Sequence, residues 1–181
     1  MKHLWMGFAL LAWAACGDGK KEATEKLAEM DRAATSEPAS NEYLLDLAPF
    51  DLPLSVSMPG STVPDADSTY GGAQWNDDTG QMLVKSGDRF SLTISEAPGD
   101  LPRLKAALER DMLRKHTVLE ETPQMLIYRQ QFPDDDLVFV HFYQIIVVGG
   151  RSFVVESDPQ GRFNETDVRR MTQAVRPNVI S

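Results

Sequence analysis

Cysteine, histidine and basic residues are scarce in this chain of 181 residues. The single cysteine excludes an internal disulfide, a multi-cysteine zinc site and a CxxC redox pair. There are 18 Lys and Arg against 27 Asp and Glu, which gives a net charge of −9. That balance argues against nucleic-acid binding, which needs a basic surface to displace counterions, and against electrostatic docking to anionic lipid.

The sequence also lacks the motifs of common enzymes. There is no G-x-S-x-G nucleophile turn, no Walker loop and no G-x-G-x-x-G. His116 and His141, the histidines that follow the N-terminal segment, have no second His or Cys at metal-ligand spacing. We therefore assign no catalytic residue, no metal and no cofactor from the sequence.

Long apolar runs are absent except at the N terminus. Residues 4–15 form a run of 12 apolar residues and glycine, which follows Lys2 and His3. As a helix this run would reach about 18 Å, whereas the hydrocarbon core of a bilayer is about 30 Å thick. A basic start followed by a short apolar core is typical of a signal peptide rather than of a transmembrane span.

The only cysteine ends that run, in the order Trp13-Ala14-Ala15-Cys16. Small residues before a cysteine resemble the signal of bacterial lipoproteins. The resemblance implies a signal peptide at residues 1–15 and a lipid anchor on Cys16 that holds the chain on a membrane of the bacterial cell envelope, on the periplasmic or surface side. Gly17 is not the aspartate that marks inner-membrane retention in some bacteria, which favours the outer membrane.

Two alternatives to lipidation stay open. Trp13 stands where lipoprotein signals usually have an aliphatic residue, and Ala12-Trp13-Ala14 also fits the A-x-A site of ordinary signal peptidase. Cleavage there would give a secreted protein. An N-terminal anchor that is not cleaved is the other alternative.

The composition changes twice after the cysteine. Residues 16–42 contain no aromatic residue and few large aliphatic ones, so they cannot form a core, and we predict a flexible or partly helical tether. Residues 43–181 are long enough for a single domain with one core.

Hydrophobic patterning predicts an α+β domain, with an antiparallel sheet of about six strands and two helices packed on it. Leu101, Leu104, Leu108 and Met112 form an apolar stripe at helical spacing. Asp100 is the predicted N-cap of this first helix. The predicted second helix begins at Asn164 or Thr166, buries Val168, Met171 and Val175, and is halted by Pro177.

The order of strands and helices across residues 43–178 resembles PsbP-like domains. The resemblance also rests on Gly87-Asp88-Arg89-Phe90, on the helix after Pro98-Gly99-Asp100, and on Phe163 before the last helix. It implies a module that is not an enzyme in most members and that binds or stabilises a partner at a membrane or in the cell envelope. No binding residue of the PsbP-like family can be assigned to a position in this chain.

Trp75 and Tyr70 are candidates for an aromatic binding surface. Trp75 is the only tryptophan that follows the predicted signal peptide, and Tyr70 precedes Gly71-Gly72 in a polar loop. A tryptophan is as compatible with a core position as with a binding loop, and we favour the core position for Trp75.

His141 and Asp158 form the second candidate surface. Gly149-Gly150 separates two β-branched runs, which predicts a two-residue type I′ hairpin. In that register His141 opposes Asp158 and shares a face with Tyr143 and Glu156. A carboxylate opposite an imidazole would raise the pKa of His141.

The function expected from these patterns is a lipid-anchored envelope module that binds a ligand or an envelope protein. Two other functions stay open. One is a small envelope hydrolase that uses His141 with a nearby carboxylate. The other is a structural lipoprotein without a ligand.

Overall fold

The computed structural model describes residues 42–60, 72–133 and 136–178. Cys16, the predicted signal peptide and most of the predicted tether lie outside the described residues, as does Tyr70. In the part of the chain that is described, no helix is long and apolar enough to cross a membrane.

The described residues form an α+β fold with two α-helices and two antiparallel sheets. The helices are α1 (Leu101–Arg110) and α2 (Glu165–Ala174), and a short 3-10 helix covers Ala48–Phe50. The strands are β1 (Tyr43–Asp46), β2 (Leu54–Met58), β3 (Ala73–Asn76), β4 (Gln81–Lys85), β5 (Ser91–Glu96), β6 (Lys115–Thr122), β7 (Met125–Gln131), β8 (Val138–Val148), β9 (Arg151–Ser157) and β10 (Val175–Pro177).

The larger sheet has seven strands in the order β3-β4-β5-β9-β8-β7-β6, and the smaller has three in the order β1-β2-β10. The predicted α+β class is therefore confirmed, whereas a single sheet of about six strands is wrong. The prediction merged or missed short strands with little apolar alternation. Only one of four residues is buried in β1 and in β3, so neither strand carries the alternating pattern that identifies a half-buried strand.

The large sheet is covered on both faces, and each face has its own core. The main core lies between the two sheets and α2, and it includes fully buried residues from β2, β5, β8 and α2. The second core is a small cluster on the opposite face, where Leu104 and Leu108 of α1 pack with Leu126, Tyr143 and Val154. The predicted inward face of α1 is thus confirmed.

Helix α1 begins as predicted and ends earlier. The Asp100 side chain accepts a hydrogen bond from the backbone N–H of Arg103 at 2.9 Å, as an N-cap does. The helix ends at Arg110, so Met112 lies beyond it and is 95% exposed. The assignment of Met112 to the buried stripe is therefore wrong, because the helix ends two residues before it.

Helix α2 begins at a capping box. The Asn164 side chain accepts from the backbone N–H of Asp167 at 2.9 Å, and the Asp167 carboxylate accepts from the backbone N–H of Asn164 at 3.0 Å. Asn164 rather than Thr166 is therefore the cap. The helix ends at Ala174, and Val175 begins β10, so the placement of Val175 inside the helix is wrong.

The Gly149-Gly150 hairpin is confirmed. Both glycines have positive φ, 59° and 80°, as a type I′ turn requires. Val148 pairs with Arg151 and Ile146 with Phe153, which is the predicted register. The pairing of β8 with β9 runs to Tyr143 and Glu156, and β9 ends at Ser157.

Candidate functional site

The structure places Trp75 at the surface. It lies in β3, which is the last strand of the large sheet in the described residues, and its Cα partner in β4 is the fully buried Met82. The side chain is 36% exposed, so the core position that we favoured is wrong. At this rim of the sheet, no described strand lies beyond β3 to cover the indole.

A tight turn follows Trp75 and is built on Asn76. The Asn76 side-chain oxygen accepts hydrogen bonds from the backbone N–H groups of Asp78 at 3.0 Å and Thr79 at 3.2 Å. The backbone N–H of Gly80 donates to the Asn76 carbonyl at 2.9 Å, with Gly80 at a φ of 63°. These bonds hold the exposed residues Asp77 and Asp78 close to the end of β3.

Trp75 and this turn line a cavity of about 380 Å³. That volume lies in the usual range for small-molecule sites. Its walls come from residues of the β3–β4 hairpin, which include one tryptophan, one leucine, two amide residues and two aspartates. The lining residues are Gln74, Trp75, Asn76, Asp77, Asp78 and Leu83.

The cavity carries negative charge. Among the residues that the structure describes, no Lys, Arg or His forms an ion pair with Asp77 or Asp78, and no basic residue lines the cavity. Of the six lining residues, the sequence pattern pointed to Trp75 alone. Asp77 and Asp78 could have been found as well, since the Asp-Asp-Thr-Gly turn begins two residues after the tryptophan.

His141 lies in the interior instead of on a binding surface. It is 3% exposed, and its Nδ1 lies 3.0 Å from the Ser157 hydroxyl. The same hydroxyl accepts a hydrogen bond from the backbone N–H of Phe142 at 3.3 Å. The pKa of His141 is lowered to about 4, mainly by burial and in addition by the nearby Arg114 and His116. The predicted rise of the His141 pKa is therefore wrong.

Asp158 does not form the expected cross-strand pair with His141. It lies just past the end of β9, where its carboxylate accepts from the Ser91 hydroxyl at 3.1 Å and its backbone N–H donates to the Ser91 carbonyl at 3.0 Å. Its charge does favour the protonated imidazole, but this effect is smaller than that of burial. The structure therefore separates the two candidate residues into different local networks.

A second histidine closes the loop after α1. The Asp111 carboxylate accepts from His116 Nε2 at 2.9 Å and from Arg114 Nε at 2.7 Å, and it also accepts from the backbone N–H of Leu113. His116 therefore fastens β6 to the end of α1. The Tyr128 ring lies between the two histidines, with centroids 5.8 Å from His116 and 5.9 Å from His141.

The buried polar residues around Tyr128 and His141 favour a structural role for these two side chains. Burial raises the pKa of Tyr128 to about 12 and also raises the pKa of Glu156. A substrate cannot contact the ring of His141 at its observed exposure, so the geometry offers no role for it as a general base. In the described part of the chain, no group of three or more His, Cys, Asp or Glu residues could hold a metal ion.

No protein-family model, no curated protein and no solved structure matches this chain. With no relative to suggest a function, a functional proposal has to start from the geometry of the described residues. The cavity at Trp75 offers such a starting point.

Proposed function

We propose that this protein is a lipid-anchored module of the bacterial cell envelope that binds a ligand or a partner in the cavity at Trp75. The observation that carries the proposal is the exposed Trp75 indole beside that cavity. Large aromatic side chains are enriched where proteins bind partners, because they bury much area at little entropic cost.

The proposed location rests on the N-terminal sequence. A basic start, a short apolar core and small residues before Cys16 fit export and lipidation. The predicted tether of residues 16–42 would act as a spacer that lets the domain extend away from the membrane surface. A PsbP-like identity for the domain is part of the proposal, and the order of elements and the Gly87 to Phe90 stretch support it.

In the structure, that stretch has a packing role. Gly87 turns the chain with a φ of 62°, and Phe90 is buried in the main core. Arg89 Nε forms an ion pair with the buried Asp167 of α2 at 2.8 Å. These contacts join the β4–β5 turn to the start of α2, so the stretch supports a fold assignment and no particular ligand.

The location is tested by the mass of the processed protein. Export of the wild type should give an intact mass without residues 1–15 and with lipid on Cys16. The Cys16→Ser variant should lack the lipid and be recovered as a soluble protein or as the unprocessed precursor. A wild-type chain that starts at Ala15 without lipid would contradict the anchor and support secretion.

The binding surface is tested by photocrosslinking in intact envelopes. A benzophenone amino acid would replace Gln74, an exposed lining residue, in one variant and Tyr43, which is 55% exposed on β1, in a matched control, so that Trp75 stays in place. We expect an adduct from position 74 and none from position 43, detected by intact mass. Adducts of equal yield from both positions, or none from position 74, would favour the structural lipoprotein without a ligand.

A further inference from the structure

We infer that the cavity at Trp75 takes an organic ammonium group, held against the indole and between the carboxylates of Asp77 and Asp78. The inference rests on the proposed function, because it names the chemistry of the ligand at the same site. It combines three separate features of the β3–β4 hairpin, which are the cavity itself, the exposed aromatic residue and the sign of the charge.

The first step concerns the aromatic residue. A cation near the face of an aromatic ring is attracted by the ring quadrupole, and tryptophan gives the strongest attraction. Trp75 is the large exposed aromatic residue of this hairpin and is one of the six residues that line the cavity. An ammonium group with alkyl substituents would also bury apolar surface against the indole and Leu83.

The second step concerns charge. Asp77 and Asp78 are exposed, line the cavity and form no ion pair within the described residues. An anionic ligand would meet two like charges there without a compensating cation. A cationic ligand gains attraction from both. The net charge of −9 would add a long-range attraction for cations at low ionic strength.

The third step concerns rigidity. The hydrogen bonds from Asp78 and Thr79 to the Asn76 side chain fix the turn in the absence of a ligand. Gly80 completes the turn at a positive φ. The backbone that carries the two aspartates therefore needs little reordering when a cation binds, which lowers the entropic cost of association.

The test compares a cation with its neutral isostere on the processed full chain in nonionic detergent. Choline and 3,3-dimethyl-1-butanol have nearly the same shape and differ by the charge, and equilibrium dialysis would measure binding of each. We expect choline to bind at least about 10-fold more tightly, in line with a partly desolvated cation–aromatic contact. Choline binding should weaken as sodium chloride is added, because the carboxylates are exposed.

Variants then assign the contact to this site. Asp77→Asn and Asp78→Asn should each weaken choline binding by about 3-fold or more, and Trp75→Ala by about 10-fold, with Trp75→Phe between Trp75→Ala and the wild type. Asp88→Asn, the same change in the exposed turn of the next hairpin, is the matched control and should leave binding unchanged. Unfolding midpoints of all variants would show that each is folded.

A parallel titration with N-acetyl-lysinamide distinguishes a lysine side chain from a small quaternary amine as the source of the ammonium group. Selective binding of either cation over the neutral alcohol supports the inference. Equal binding of choline and the alcohol would overturn it while leaving the cavity as a binding site for a neutral ligand. Binding of neither cation would overturn it as well, and the photocrosslink at position 74 would then decide the proposed function separately.

Discussion

The hydroxyl oxygen of Tyr143 accepts a hydrogen bond of 2.9 Å from the backbone N–H of Asp100. Tyr143 lies in the middle of β8, and Asp100 is the N-cap of α1. The bond therefore ties the start of the helix to the sheet beneath it. Gly99 makes this close approach possible, because a Cβ at that position would lie 2.6 Å from the Ile145 side chain.

Removal of this hydroxyl should destabilise the protein. Tyr143 is buried, so Tyr143→Phe leaves the Asp100 N–H without its partner and should lower the free energy of unfolding by about 1 kcal/mol. Urea denaturation would measure the loss. Tyr43→Phe, which removes a hydroxyl from an exposed ring, is the control and should have little effect. Equal losses in the two variants would show that the helix does not depend on this bond.

Truncation of the inner face of α1 should cost more than truncation beyond its end. Leu104 is partly buried in the small cluster under the helix, and Leu104→Ala should lower the free energy of unfolding by about 1–3 kcal/mol. Met112→Ala should change it by less than about 0.5 kcal/mol, since Met112 is almost fully exposed. A large cost at Met112 would mean that the helix continues past Arg110.

The capping box of α2 gives a third comparison. Asn164→Ala removes the side-chain acceptor for the Asp167 N–H and should cost about 1 kcal/mol. Thr166→Ala removes an exposed hydroxyl inside the first turn and should cost less than about 0.5 kcal/mol. Thermal unfolding of both variants would measure the difference. A larger loss at Thr166 would contradict the observed start of the helix.

Stability should fall with pH between about 6.5 and 4 because of His141. The folded pKa is about 4 and the ordinary value is 6.5, so in this range the unfolded chain binds the proton more tightly than the folded chain. The contribution is fully present above pH 6.5. It is lost progressively as the pH falls to 4, by roughly 3 kcal/mol in total.

Urea denaturation across this pH range would measure the effect. The His141→Asn variant cannot titrate at this position, so its free energy of unfolding should depend less steeply on pH than that of the wild type. Other titrating groups, including Glu156 with its raised pKa, remain in both proteins and cancel in the difference. Parallel pH profiles would show that His141 titrates normally in the folded state.

Local sequence chemistry was sufficient to predict several features of the fold. Two adjacent glycines between β-branched runs predicted both the turn and the strand register at Gly149-Gly150, because few other residues adopt a positive φ easily. The Asp100 cap and the inward face of α1 followed from residue type and spacing in the same way.

The environments of Trp75 and His141 could not be predicted from local pattern. Alternation along a strand indicates which residues share a face, but not whether a distant segment covers that face. Trp75 is exposed because it lies in the outermost strand of the described sheet. Burial lowers the pKa of His141 and favours its neutral form, because Tyr128 and Phe163, from other parts of the chain, pack near its ring.

In the proposed binding site, recognition and core packing depend on different residues of strand β3. Of its four residues only Ala73 is buried, whereas Gln74, Trp75 and Asn76 are exposed. Substitutions that redesign the cavity can therefore leave both cores intact. A chain with this fold could acquire a new ligand through changes to one hairpin, with the residues of both cores unchanged.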